Sequence, residues 1–314
     1  MGSLSKPYGG LLRTQHSHTC AFVVDFYISE LDASDKTRRT YSAALRQYCS
    51  WLEARGLGIN DAKRADVLAY RDALIAEKSP ATVNAYLTAV RSLHAWLESH
   101  MAMPDVSAGI KGVKKRAVVG RDALTLEQAR RLLNEDADGE QGLRDAALIN
   151  LMLRRGLRTI EVSRADIGDL RQMGGVAVLY VQGKGHGAKD DFVVLGDECL
   201  SPIHAYLEAR GKAEDAEPLF ASVGNRNKGG RMTTRAISRI VKDAYRRQGI
   251  ADPHLTAHSL RHTAVTLSLK AGATIQEAQA MARHANVSTT MGYAHNLEKL
   301  EAKAERRIDE LLAV

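Results

Sequence analysis

Residues 258–262 read His-Ser-Leu-Arg-His. On a helix, His258 and His262 share a face and could ligate a metal, while His258 and Arg261 share a face and could hold a phosphate. A zinc peptidase needs His-Glu-x-x-His, in which the glutamate activates the metal-bound water. Ser259 stands where that glutamate would be, and Arg261 opposes a dication, so no metal site is expected. The phosphate reading draws on a helix start, where free N–H groups and the dipole favour an anion. Arginine adds a planar fork that fits two phosphate oxygens. For the pentapeptide alone a structural alternative stays open, since His and Arg near a helix start also bind carbonyls.

The residues that follow decide between these readings. Gly272 can end the helix, and Thr274 with Glu277 forms the next capping box. His284 comes after a short helix, then Ser288 as the expected N-cap, then Tyr293 one turn in. HSLRH followed by MARHANVSTTMGYAH resembles the C-terminal signature of the tyrosine recombinases, the phage-integrase family that includes Xer and Cre-type enzymes. His258, Arg261, His284 and Tyr293 match its His-x-x-Arg, second His and nucleophilic Tyr. Upstream, LRRGLRTIEVSRADIGDL matches the family's first-arginine motif, with Arg158 as the arginine and Glu161 as its acidic companion. Lys184 in VQGKGHGAK matches the hairpin lysine. It is not a P-loop lysine, because no Ser or Thr follows it.

What the resemblance implies suits these residue types. Arg158 and Arg261 would neutralise the nonbridging oxygens of a phosphodiester, most strongly as charge builds in the transition state. Tyrosine has a solution pKa near ~10, so Tyr293 needs help to lose its proton. His258 is the expected partner for that transfer, His284 the expected hydrogen bond to the scissile phosphate, and His262 a supporting residue. Lys184 would protonate the departing 5′ oxygen. The product would be a 3′-phosphotyrosyl link that stores the energy of the broken bond, so no ATP, metal or other cofactor is implied. The expected function is site-specific recombination by strand exchange through a Holliday junction, on double-stranded DNA sites held by a homo-tetramer. Xer-type dimer resolution, a type IB-like topoisomerase and a DNA-binding protein that does not cleave are the alternatives. Ala282-Arg283 replaces the usual Leu-Gly before His284, the hairpin is longer than usual, and Asp191 stands near the usual arginine. These departures resemble integrases of mobile elements.

The elements that must position these residues fall into two expected domains: an all-α N-terminal bundle and a mixed, mainly α catalytic domain with a small antiparallel sheet. The first spans about 18–104, after a tail to residue 17. Tyr41, Leu45, Tyr48 and Leu52 recur at helical spacing before Gly56, and Ser79-Pro80 opens a helix with Val83, Tyr86, Leu87, Val90, Leu93 and Leu97 on one stripe. Residues 105–121 lack a period and read as a basic linker, with Lys111, Lys114, Lys115 and Arg116 placed for phosphate contacts. The catalytic domain is expected over 122–295. It begins with a Thr125–Gln128 capping box and a helix over 144–155, then strands over 176–181 and 192–195, then helices. Residues 296–314 form an amphipathic helix that could pack in cis or dock on a neighbour. By resemblance, Arg38, Arg39, Thr40, Asn84 and Arg91 would face DNA from the first domain, and Thr234, Arg235 and Arg239 from the second.

Composition agrees. A net charge of +7 suits a polyanionic partner. No apolar run approaches the ~18 residues of a membrane helix, and no start resembles a signal peptide, so a cytoplasmic, nucleoid-associated protein is expected. Cys20, Cys49 and Cys199 form no CxxC pair and are expected to be reduced thiols.

Overall fold

The computed structural model describes residues 20–114, 123–183, 187–225, 227–301 and 303–313. The expected tail to residue 17, together with Lys115, Arg116 and Lys184, lies outside the described residues. The chain divides into two compact units, Met1–Ala117 and Val118–Val314.

The first unit packs four helices: α1 (Cys20–Glu30), α2 (Asp35–Glu53), α3 (Arg64–Glu77) and α4 (Pro80–Met101). Ser34 and Ser79 cap α2 and α4, their hydroxyls accepting from the N–H groups of Thr37 and Thr82. The 3.6-residue period places Leu45, Tyr48 and Leu52 of α2 opposite Val83, Leu87, Val90, Leu93 and Leu97 of α4, all buried. Each fully buried leucine contributes about 1.5–3 kcal/mol relative to exposure. His94 is buried in that core, its Nε2 paired with the Tyr48 hydroxyl at 3.2 Å.

Two sequence expectations change here. Cys20 and Cys49 are joined by a disulfide rather than being separate thiols, with Cα atoms 5.6 Å apart. Twenty-nine residues of separation conceal a proximity created by packing α1 on α2. The first half of the expected linker is also not free-running. Ile110 and Ser107 are buried against the helices, and the Asn84 amide pairs with both the N–H and the C=O of Val113 at 2.8 Å.

The second unit is built around α6 (Gly139–Arg155), which buries Ala147, Leu148, Leu151 and Met152 against α8 (Asp197–Arg210) and α10 (Ala257–Lys270). Helix α5 (Leu126–Leu133) precedes it, with its Thr125–Gln128 capping box formed. After α7 (Thr159–Arg164) come three antiparallel strands in the order β1 (Leu170–Met173), β2 (Val176–Val181), β3 (Asp191–Val194). The first strand is absent from the sequence reading because Leu-Arg-Gln-Met has no apolar alternation, and it is mostly exposed. Gly174 and Gly175, both at positive φ, make the two-residue turn to β2. The remaining elements are α9 (Thr234–Arg247), α11 (Ile275–Ala282), α12 (Val287–Glu301) and α13 (Lys303–Leu312).

Candidate active site

The site grows from the start of α10. Thr256 caps it, its hydroxyl accepting from His258 N–H, and the Ser259 hydroxyl accepts from Thr256 N–H in return. Ser259, the residue that rules out a zinc peptidase, is thus a helix-start residue. Leu260, Arg261 and Thr263 are buried, whereas His258 is exposed and His262 half-buried.

Arg261 does not lie beside His258 on the surface, as the spacing alone suggests. It is among the largest fully buried side chains of the chain. Its guanidinium donates to the carbonyl of Gly156 at 2.6 Å and to that of Ala282. Gly156 closes α6 at φ +62, and a Cβ there would meet the Cβ of Ala264 at 3.5 Å and the Cγ of Arg261 at 3.8 Å. Those are ordinary contacts, so it is the left-handed turn rather than crowding by Arg261 that calls for glycine. Burial, and then the neighbouring charge of Arg158, push the Arg261 pKa down to about 10, still well above neutrality.

Arg158 stands two residues after Gly156, at the start of α7, with its side chain one-quarter exposed. Glu161 is fully buried and does two things at once. Its Oε2 accepts from the Arg158 backbone N–H, and its Oε1 pairs with the Arg158 guanidinium, both at 2.7 Å. Burial opposes ionisation of Glu161, but the charge of Arg283, the Arg158 N–H and the two guanidiniums together hold its carboxyl below the usual value.

Helix α11 ends at Ala282, and the next residue, Arg283, is left-handed at φ +51. The carbonyls of Ala282 and Arg283 receive Arg261 and Arg158, respectively. A helix C-terminus has unpaired carbonyls and the negative end of its dipole, so two guanidiniums satisfy it well. His284 follows. Its Nδ1 lies 2.9 Å from the buried Thr290 hydroxyl, and its ring stacks over that of Tyr293 at 6.3 Å between centroids. Burial and the charges of Arg261 and Arg158 push its pKa down to about 4, so its ring is neutral at pH 7. In the tautomer in which Thr290 donates to Nδ1, Nε2 carries the proton and is a donor.

Tyr293 sits on α12, whose start is capped by Asn286, its Oδ1 accepting from Ser288 N–H at 2.8 Å. Ser288, the expected cap, is inside the helix because Val287 begins it. The Tyr293 hydroxyl is hydrogen-bonded to Nδ1 of His262. His258 lies one turn earlier, its ring edge-on to that of His262 at 4.5 Å. The structure thus gathers Arg158, Glu161, His258, Arg261, His262, His284 and Tyr293 from three separate segments of the chain. Two features escaped the sequence reading: the contact of His262 with the tyrosine, and the insertion of Arg283 beside Glu161 at 2.7 Å. The spacing of Tyr293 from His262 carries no helical signal, so only the fold reveals the first.

The sequence pattern of the phage integrase family matches residues 122–299, and that of its N-terminal SAM-like domain matches residues 24–100. The chain belongs to the phage integrase family. Tyrosine recombinases of this kind cleave and rejoin DNA through a tyrosine nucleophile. Its relatives include tyrosine recombinase XerC of Pelobacter propionicus, 31% identical, over 87% of this chain and 89% of the relative. Tyrosine recombinase XerD of Bifidobacterium longum is 32% identical, over 82% of this chain and 86% of the relative. The fold is similar to that of the XerH recombinase in its post-cleavage complex with palindromic difH substrate. That match has a TM-score of 0.74 at 19% identity, over 91% of this chain and 84% of that one. The Tn1549 transposon integrase in complex with a circular intermediate DNA matches with a TM-score of 0.69 at 16% identity, over 88% of this chain and 94% of that one.

Within this member of the phage integrase family, the residues expected to meet DNA are placed unequally. Arg39 and Thr40 are exposed on α2, but Arg38 Nε donates to the carbonyl of Leu31. Asn84 is taken up by Val113, and Arg91 donates to the carbonyls of Leu87 and Ile110, so both tie the 110–113 segment to α4. The polar end of each thus has an internal partner in this segment. Lys111 and Lys114 are exposed. On α9, Arg235 and Arg239 are exposed one turn apart and Thr234 is half-buried. Lys189, near the hairpin tip, forms ion pairs with Asp166 and Asp169 and so anchors the β2–β3 hairpin to the segment after α7. No helix among the described residues is long and apolar enough to cross a membrane.

Proposed function

We propose that the chain is a site-specific recombinase of the mobile-element integrase type, acting on two double-stranded DNA sites as a homo-tetramer. The observation that carries the chemistry is the Tyr293 hydroxyl held against His262, with Arg158, Arg261 and His284 around it. Tyr293 Oη attacks phosphorus, its proton passes to His262, and the bond from phosphorus to the 5′ oxygen breaks. Lys184 delivers a proton to that oxygen, leaving a free 5′-hydroxyl and a 3′-phosphotyrosyl bond. Arg158 and Arg261 stabilise the charge on the nonbridging oxygens, and neutral His284 donates to one of them from Nε2. Attack by the 5′-hydroxyl of the partner duplex reverses the chemistry, and two rounds pass through a Holliday junction.

Exposure of Ile308, Leu311 and Leu312 on α13 supports tail docking on a neighbouring protomer, since these apolar residues are uncovered within the chain. Xer-type dimer resolution is the second reading, favoured by the identity to XerC and XerD over most of the chain. The test begins with nicked duplexes carrying a randomised central segment, incubated in EDTA and selected as denaturant-resistant adducts. The enriched duplex should form an adduct with the wild-type chain and none with Tyr293→Phe. An adduct indifferent to that substitution sinks the reading. Mapping the enriched sequence to the ends of a mobile element, or to a chromosomal dimer-resolution locus, separates integrase from Xer-type action.

A further inference from the structure

Arg283 occupies a position that neither backbone geometry nor helix capping explains. It is one of two non-glycine residues at positive φ among the described residues, in a conformation that costs an L-residue free energy and suits glycine. Its side chain is nonetheless 92% buried, the exposed share being 8%. One Nη donates to Glu161 Oε2 at 2.7 Å and the other to the Met281 carbonyl at 2.8 Å. Its Nε is buried with no hydrogen-bond partner among the described residues. A long charged side chain has thus been drawn inward from a strained backbone, next to two other guanidiniums.

The consequence lies in how Glu161 is shared. Glu161 is the carboxylate paired with Arg158, and a carboxylate readily takes a guanidinium by both oxygens. Here Arg283 and the Arg158 backbone N–H hold Oε2, so the Arg158 side chain pairs with Oε1 alone. The Arg158 guanidinium is steered further by the Arg283 carbonyl, which receives its other Nη at 3.3 Å. Arg283 therefore sets both partners of Arg158 and keeps its charge from being cancelled by a two-point ion pair. Arg158 and Arg283 share one buried carboxylate, and with the charge of Arg261 close by the excess positive charge is available to a phosphate.

We infer that Arg283 is a positioning residue for cleavage: through Glu161 and its own carbonyl it holds Arg158 singly paired and oriented toward the scissile phosphate. This inference rests on the recombinase reading above. Arg283→Gly is the informative variant, because glycine relieves the left-handed backbone while removing the guanidinium. With the enriched nicked duplex as probe, and assayed well below its melting temperature, it should bind that DNA with unchanged affinity, although loss of a partner of buried Glu161 lowers that temperature. Adduct formation at saturating DNA should nevertheless slow by roughly tenfold to a hundredfold, the scale of a misplaced catalytic group. Arg283→Lys, which keeps the charge, should recover part of the rate. A glycine variant that cleaves at the wild-type rate overturns the inference and leaves a plain helix cap. One whose DNA affinity falls together with cleavage at the assay temperature overturns it as well, in favour of a structural clamp. Absence of any Tyr293-dependent adduct from the wild-type chain would instead remove the recombinase reading, and this inference with it.

Discussion

Nδ1 of His262 shares a hydrogen bond with the phenolic oxygen of Tyr293, so the last residue of HSLRH touches the tyrosine proposed as nucleophile. A general base must lie within hydrogen-bond reach of the proton it takes. His262→Asn is accordingly expected to slow formation of the phosphotyrosyl adduct by about 10²–10⁴, with DNA affinity maintained. His258→Asn should cost less, because the ring nitrogen bonded to the tyrosine belongs to His262, with the His258 ring edge-on to it. The reverse order of rates in single-turnover cleavage would assign the proton transfer to His258.

Lys184 is assigned the opposite proton transfer, to the leaving oxygen. Replacing that oxygen by sulfur in the scissile bond makes the leaving group a thiolate, stable near neutral pH without a proton, since a thiol has a pKa near ~8.5. Lys184→Ala should therefore be slow on ordinary DNA, by about 10²–10⁴, and recover most of its rate on the sulfur-substituted duplex. His262→Asn should not recover. Equal rescue of both variants would deny Lys184 the acid role.

The DNA-contact candidates divide by whether their side chains are already spoken for. Arg235 and Arg239 are exposed on α9, and each Ala substitution should lower the slope of log affinity against log salt by about one. Asn84→Ala should leave that slope unchanged and reduce the stability of the helical unit by about 1–2 kcal/mol, since two hydrogen bonds to Val113 are lost. Filter binding across a salt series, with thermal melts of each variant, measures both. A reduced salt slope for Asn84→Ala would mean that the 110–114 segment, not α9, carries the phosphate contacts.

Burial pushes the His94 pKa down to about 4, so the fold holds this ring neutral. In the unfolded chain a histidine takes its proton near ~6.5. Between those values the unfolded state binds more protons, so stability is full above about pH 6.5 and declines as the pH falls towards about 4. His284 acts in the same direction. Melting temperature measured from pH 7 downward should drop over this window, and His94→Leu should flatten the drop. An unchanged profile in that variant would show that His94 is not the group responsible.

Much of the second unit was legible because its signals are local. Thr125 with Gln128 and Thr274 with Glu277 announce helix starts within four residues, and both capping boxes are formed. The two apolar strands carry their own pattern, and the motif order from Arg158 to Tyr293 is a property of the chain itself. What stayed hidden depends on partners far away in sequence. Arg261 looks like a surface cation until Gly156 and Ala282 are seen to receive it. The hold of Asn84 and Arg91 on the 110–113 segment is invisible until that segment folds back on α4, and Cys20 and Cys49 look unrelated until α1 meets α2. Strand β1 was missed for a different reason: an edge strand with mostly exposed side chains needs no apolar alternation.

Consecutive carbonyls at the end of α11 hold Arg261 and Arg158, which lie 21 and 125 residues away along the chain. Gly156 and Glu161 hold these arginines from upstream, but the set of partners is complete only once Ala282 and Arg283 are in place. On the roles proposed above, a chain that has emerged only through α10 lacks both of these carbonyls and Tyr293, so it would hold DNA without cleaving it.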